Sequence, residues 1–131
     1  KNIKLKVLRE KPNGHPPSVF GARSKLEQVL ANLIDNAISF SPIDGSIYIG
    51  IKSSKDTVKI TIKDQGPGFK ETNTDRIFKR FYSNRPEKFG EHSGLGLNIV
   101  KNLVDLHNGS IKASNRSDKK GARMEVIFPT V

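Results

Sequence analysis

Two neighbouring segments in which a branched aliphatic residue recurs at every second position constrain the fold of this chain most. Ile47, Ile49 and Ile51 alternate with other residues, and the same pattern resumes at 58–62 after a polar turn at 54–56. A period of two predicts β-strands that each bury one face. The chain has 131 residues, enough for one domain with one hydrophobic core.

Asp64 continues the parity of the buried positions Val58, Ile60 and Ile62. Its side chain is therefore expected to point to the apolar face at the end of the second strand. A buried carboxylate is costly without a hydrogen-bond donor. Either the strand twists away first and Asp64 is an ordinary turn residue, or Asp64 accepts a hydrogen bond from a ligand, such as an exocyclic amine, in a dry pocket.

Two longer segments carry the helical period, at 22–40 and 95–107. Further strands are expected at 3–8, 19–20, 111–113 and 124–128, and a short helix at 74–81. Together these elements predict an α/β layer structure. The residues expected to face the core from the two long helices are Leu26, Leu30, Leu33, Ile34 and Ala37, and then Ile99, Val100, Leu103 and Val104.

Polar residues border both helical patterns. Asn32 and Asn36 lie one turn apart at the edge of the first apolar stripe, where they are either surface amides or hard oxygen ligands of the kind that Mg²⁺ prefers. Gly94 and Gly96 lie where the second helix begins. A helix N-terminus with glycine can bring backbone N–H groups close to an anion such as phosphate.

Composition excludes several classes of function. The chain has no cysteine, which excludes disulfides, thiol catalysis and cysteine-ligated metals. Its formal net charge is +10, but the positive residues are scattered in the manner of solvated strand faces. No signal peptide and no apolar run long enough to span a bilayer is evident. We expect a small soluble protein or a piece of a longer one.

Four motifs stand in a fixed order: Asn-Leu-Ile-Asp-Asn-Ala at 32–37, Asp-Gln-Gly-Pro-Gly-Phe at 64–69, Ile-Phe-Lys-Arg-Phe-Tyr at 77–82 and Gly-Leu-Gly-Leu-Asn-Ile-Val at 94–100. Together they resemble the N, G1, F and G2 boxes of the catalytic and ATP-binding domain of bacterial sensor histidine kinases. The resemblance covers residues 3–128 and implies a single domain over 1–131. It implies the Bergerat-type two-layer α/β sandwich, a mixed sheet of about five strands covered by about three helices.

The resemblance also implies roles for individual residues with ATP and Mg²⁺ as cofactors. Asn36 would ligate Mg²⁺ and Asn32 would assist at the metal or the phosphates, so these two are the residues expected to act in catalysis. Asp64 would bind the adenine amino group. Around the base, the remaining contacts would come from Phe40, Gly66 and Gly68. At the phosphates and the hinge of an ATP lid, they would come from Gly94, Leu95, Gly96 and Leu97. Phe78 and Phe81 would anchor this lid.

The sequence departs from the family pattern at positions expected to carry positive charge. Ser39 and Ser83 stand where many of these kinases have basic residues, so Arg85 is expected to neutralise phosphate charge, with Lys79 or Lys88 as alternatives. His92 stands where the G2 box often has its first glycine. The related chaperone and topoisomerase ATPases have a catalytic glutamate at the place of Asn32. This asparagine resembles the kinase branch and argues against efficient hydrolysis.

No phosphoacceptor motif accompanies the four boxes, since the three histidines at 15, 92 and 107 lack the helical acceptor context. The resemblance therefore implies an acceptor dimerisation domain upstream of residue 1 and, indirectly, a response regulator as partners. The fragment would be monomeric and cytoplasmic, part of an inner-membrane sensor but not itself inserted. One alternative is a stand-alone serine kinase of the anti-sigma type, which needs a protein serine acceptor. Another is a basic nucleic-acid-binding module, whose salt-sensitive binding ATP would leave unchanged.

Overall fold

A five-stranded mixed sheet packs against two helices in a computed structural model that describes residues 4–9, 23–69, 78 and 95–129. The first helix lies between the first two strands in the chain, and the second helix precedes the last two. The elements are β1 (Lys4–Arg9), α1 (Arg23–Phe40), β2 (Ser46–Ser53), β3 (Thr57–Lys63), α2 (Leu95–Leu106), β4 (Ser110–Asn115) and β5 (Ala122–Pro129).

The strand order in the sheet is β1-β2-β3-β5-β4. β1 and β2 pair in parallel, and the other three pairs are antiparallel. A parallel pair needs a crossover connection, and α1 supplies it. β5 follows β4 in the sequence, yet it lies between β3 and β4, so its pairing with β3 joins residues far apart in sequence.

The predicted alternation sets which face of the sheet is buried. In β3, Val58, Ile60 and Ile62 are buried, whereas the intervening residues are half-exposed. Ile62 pairs with Ile49 of β2 on one side and with Met124 of β5 on the other, so one apolar layer crosses the sheet. The helices add their own buried residues to this layer, namely Val29, Leu33 and Ala37 from α1 and Val100, Leu103 and Val104 from α2.

The predicted α/β class and the six strand and helix patterns predicted within 22–69 and 95–128 are confirmed, with differences of detail. Val29, absent from the predicted stripe of α1, is 1% exposed and lies at its centre. Ile99 was predicted to face the core, but it is 37% exposed because the buried line of α2 runs along Val100, Leu103 and Val104. The strand at 19–20 and the helix at 74–81, apart from buried Phe78, lie outside the described residues.

Candidate functional site

The carboxylate of Asp64 is buried at the end of β3, as its parity predicted, and the residue is 3% exposed. Its Oδ1 accepts two backbone hydrogen bonds, from the N–H of Gly66 at 2.8 Å and from the N–H of Ala122 at 3.1 Å. Its own N–H donates to the carbonyl of Ala122 at 3.0 Å. The interpretation of Asp64 as an exposed turn residue is therefore wrong, because the side chain is fixed inside the structure by the start of β5.

The second carboxylate oxygen, Oδ2, is the chemically available atom of this group. No described residue donates a hydrogen bond to it, whereas Oδ1 is fully engaged. A carboxylate oxygen accepts hydrogen bonds and cannot donate them when ionised. The arrangement can therefore accept a hydrogen bond from a donor group of a ligand at Oδ2, while Oδ1 stays bound to the backbone.

The loop at residues 64–69 follows β3 and contains two predicted site glycines. A Cβ at Gly66 would overlap the carbonyl oxygen of Phe40, the last residue of α1. Gly68 has a φ of 78°, and a Cβ there would lie 2.6 Å from Oδ1 of Asn115. Both glycines therefore allow close approach by other parts of the protein.

The contact between Gly66 and Phe40 relates the loop to the predicted metal residues. Because α1 ends at Phe40 against the 64–69 loop, Asn36 lies one helical turn before this contact, about 6 Å along the helix axis. Phe40 itself is half-buried. The structure thus brings the N-box helix and the Asp64 loop together at one edge of the sheet.

Asn32 and Asn36 are both half-buried on α1, flanking the buried Leu33 and Ala37. No described residue forms a hydrogen bond with either carboxamide. Among the described residues, no group of three or more histidine, cysteine, aspartate or glutamate side chains could hold a metal ion. Two amide oxygens fit a magnesium ion that takes its other ligands from phosphate and water.

The first turn of α2 supplies the remaining predicted site residues that the structure describes. α2 begins at Leu95, and the N–H groups of its first turn have no intrahelical acceptor. Gly96 is exposed, with no described atom within 4 Å of the position a Cβ would take. Leu97 is half-buried and packs on the core. Gly94 and Arg85 lie outside the described residues.

Ser39, at a position where a basic residue was expected, directs its hydroxyl back to its own helix. Its Oγ donates to the carbonyl of Asp35 at 2.9 Å. Asn98 of α2 donates from Nδ2 to the carbonyl of Phe78 at 3.1 Å. Asn98 stands inside the fourth motif without a predicted role, and here it attaches Phe78 of the third motif to the helix of the fourth.

The last residue of β4 and the residue after it contact the site, although no sequence motif indicated either of them. Asn115 and Arg116 both contact the 64–69 loop through side-chain hydrogen bonds to its backbone. Arg116 also forms a two-bond ion pair with Asp118, and this guanidinium holds the pKa of Asp118 well below its usual range, chiefly through the hydrogen bond. The available sequence signal was weak: an arginine and an aspartate two residues apart in an expected hairpin turn.

Comparison with known proteins agrees with this geometry. The sequence matches the family of histidine kinase-, DNA gyrase B- and HSP90-like ATPases over residues 21–131. Sensor protein ChvG of Agrobacterium fabrum is 37% identical, covering 98% of this chain and 23% of its own length. Sensor protein kinase PmrB of Pseudomonas aeruginosa is 35% identical, covering 85% of this chain and 23% of its own. The solved mycobacterial sensor histidine kinase MprB has a TM-score of 0.82 at 28% identity, covering 97% of this chain and 81% of its own.

The chain thus spans less than a quarter of the length of these two sensor proteins. In the part that the structure describes, no helix has the length and apolarity needed to cross a membrane. The two-layer fold, the buried Asp64 carboxylate and the four ordered motifs agree with the family match. The chain belongs to the histidine kinase-, DNA gyrase B- and HSP90-like ATPase family, in which it is a catalytic, ATP-binding domain of the sensor histidine kinase type.

Proposed function

We propose that this domain binds Mg·ATP and donates the γ-phosphate to a histidine on a separate dimerisation domain. The observation that carries the proposal is the Asp64 carboxylate, which is 3% exposed, held at Oδ1 by two backbone N–H groups, and free of described partners at Oδ2. An exocyclic amino group is a donor that matches this acceptor, and adenine carries one. Asp64 would thus select the base of ATP.

The 64–69 loop and the end of α1 form the surroundings of the base. Gly66 and Gly68 let the loop lie close to Phe40 and Asn115, and this packing supports a rigid wall for the adenine. Phe40, half-buried at the end of α1, is the aromatic residue proposed to line the base. A rigid wall favours affinity because little freedom is lost on binding.

Asn36, assisted by Asn32, is proposed to hold Mg²⁺. A divalent cation supplies charge neutralisation at the phosphates and fixes their orientation. The available carboxamide oxygens of α1 support this assignment, and the chain's own contribution is to position them one turn from the Asp64 loop. The backbone N–H groups of Leu95, Gly96 and Leu97 at the start of α2 would hold phosphate oxygens, with Gly94 and Arg85 as further contacts.

Phosphoryl transfer in this proposal needs no acid or base from this domain. A histidine nitrogen of the acceptor domain attacks the γ-phosphorus, the bond from that phosphorus to the bridging oxygen breaks, and ADP leaves with the electron pair. Catalysis then rests on positioning and on charge stabilisation. Asn32 cannot deprotonate a water molecule, which disfavours hydrolysis and preserves the phosphoryl group for transfer.

The whole protein would be a sensor in a two-component pathway. Its dimerisation domain would precede this chain and its phosphohistidine would serve a response regulator, with this domain cytoplasmic and the full protein in the inner membrane. The sensor names of the relatives and the small share of their length that this chain covers support this arrangement.

Nucleotide titration and a transfer assay together test the proposal. We expect the chain to bind ATP with Mg²⁺, as measured by calorimetry, and the full-length sensor protein that contains it to acquire acid-labile label when γ-labelled ATP is supplied. Asn36→Ala should abolish transfer, whereas Asn102→Ala, an exposed asparagine of α2, should not. Absence of ATP binding would refute the proposal. Acid-stable label on serine would replace it with the serine kinase, and ATP-insensitive nucleic-acid binding would replace it with the nucleic-acid module.

A further inference from the structure

We propose that Asn115 and Arg116, consecutive residues at the end of β4, are positioning residues that set the preference of the site for adenine. They contact the two ends of the 64–69 loop, Phe69 and Asp64, from a hairpin that lies more than 40 residues away in sequence. The inference rests on the proposed role of Asp64 and extends it to residues outside the four motifs.

Asn115 holds the far end of the loop with two hydrogen bonds. Its Oδ1 accepts from the N–H of Phe69 at 2.6 Å, and its Nδ2 donates to the carbonyl of Phe69 at 3.0 Å. The carboxamide thus pairs with both backbone groups of one residue, as a neighbouring strand would. Gly68, whose φ is 78°, leaves the room that this side chain needs, because a Cβ there would lie 2.6 Å from Oδ1.

Arg116 holds the near end of the loop. Its Nη1 donates to the carbonyl of Asp64 at 3.0 Å, and its side chain is only 3% exposed. A buried guanidinium is unfavourable unless it is paired. Here Nε and Nη2 donate to the two oxygens of Asp118, at 3.1 and 2.9 Å. The pairing lets a positively charged group remain directly behind the backbone of Asp64.

The same hairpin also contacts Asp64 through its backbone. The N–H of Ala122 reaches Oδ1 of Asp64, and a Cβ on Gly121 would overlap the carbonyl oxygen of Asp64. The orientation of the free oxygen, Oδ2, therefore depends on where the β4–β5 hairpin lies. Because Asn115 and Arg116 fix both ends of the loop to that hairpin, they determine how well Oδ2 meets the amino group of the base.

The test compares nucleotides that differ at that amino group. ATP has it, whereas inosine triphosphate has a carbonyl oxygen instead, which a carboxylate repels. We expect Asn115→Ala and Arg116→Met to lower the ratio of ATP affinity to inosine triphosphate affinity about three- to ten-fold. This magnitude corresponds to the loss of hydrogen bonds that position the Asp64 carboxylate without contacting the base themselves. Arg116→Lys keeps a cation and a hydrogen-bond donor, so it should retain more of the wild-type preference for ATP than Arg116→Met does. Ser114→Ala and Lys120→Met, at exposed neighbouring positions, should leave it unchanged.

Calorimetric titrations and thermal melting of each variant distinguish the outcomes. Wild-type discrimination that persists in Asn115→Ala and Arg116→Met would overturn the inference and leave the proposed function standing. An equal loss of affinity for both nucleotides would also overturn it, since that result indicates a merely structural role. Failure of the wild type to discriminate would refute the proposed role of Asp64 itself. Asn115→Ser and Arg116→Lys provide the same comparison if the larger changes prevent folding.

Discussion

The substitution Asp64→Asn should weaken ATP binding without unfolding the domain, because the two oxygens of the Asp64 carboxylate have different partners. The asparagine Oδ1 can still accept from the N–H groups of Gly66 and Ala122 at 2.8 and 3.1 Å, and this fixes the side-chain orientation. The amide nitrogen then takes the place of Oδ2. An acceptor becomes a donor at the one position proposed to meet the adenine amino group, while the loop keeps both of its hydrogen bonds.

The expected loss of affinity follows from the hydrogen bond that disappears. A hydrogen bond to a charged acceptor contributes about 1.5–3 kcal/mol, which corresponds to a loss of about 10- to 150-fold in ATP affinity. Asp64→Ala would act differently, because it leaves the N–H groups of Gly66 and Ala122 buried without an acceptor, at a cost of about 1–3 kcal/mol each in folding free energy. The asparagine variant should therefore melt near wild type, whereas the alanine variant should melt well below it.

Calorimetric titration with Mg·ATP, together with urea unfolding of the same samples, checks both expectations. An Asp64→Asn protein that folds and binds ATP with wild-type affinity would refute the assignment of Oδ2 to the base. A large loss of stability in that variant would refute the reasoning about Oδ1, since it would mean that the two backbone hydrogen bonds do not survive the change. Asn102→Ala, at an exposed position of α2, serves as the control for handling and concentration.

Three other predictions concern glycine, charge and labelling. Gly66→Ala should destabilise the domain by about 1–3 kcal/mol in urea unfolding, because the new Cβ meets the carbonyl of Phe40. Gly96→Ala, at a helical position with no described atom within 4 Å of the new Cβ, should stabilise the domain by about 0.5–1 kcal/mol. Equal effects of the two substitutions would contradict the packing argument. Asp118→Asn should lower the urea midpoint at pH 7, because Arg116 holds the pKa of the Asp118 carboxyl below its ordinary value of 3.8. The stabilisation from this ion pair is present above that pH and is lost as the pH falls towards the folded-state pKa, so the difference in urea midpoint between variant and wild type should narrow below about pH 4. A difference in midpoint that does not change with pH would exclude the ion pair as its source. The chain alone, incubated with γ-labelled ATP, should acquire no acid-labile label on any of its three histidines, and such label would show that the acceptor is not in another domain.

Strand parity predicted the central feature of the candidate site. Asp64 shares its parity with Ile62, and a strand of period two that buries Ile62 must also direct Asp64 towards the core. Parity could not identify what stabilises the buried carboxylate. Its second donor, the N–H of Ala122, comes from a strand 58 residues away, and only the strand order of the sheet brings it there.

The contacts of Asn115 and Arg116 with the 64–69 loop could not be predicted from the sequence. Asn115 and Arg116 follow an expected strand, and their types are equally compatible with an exposed turn. Their roles arise from the pairing of β4 with β5 and of β5 with β3, which is set by long-range contacts. The exposure of Ile99 has a similar origin, because the buried line of α2 depends on where that helix packs.

β5 lies inside the sheet although it is made after the other four strands, and this order affects folding during translation. During translation β3 and Asp64 emerge long before Ala122, so the carboxylate at first lacks one of its two backbone donors and β3 has an open edge. Pairings between distant segments form slowly because the intervening chain must first be closed into a loop. We therefore expect nascent chains that end before β5 to be unable to use ATP as a folding ligand, and nucleotide to stabilise this domain only after its last strand has joined the sheet.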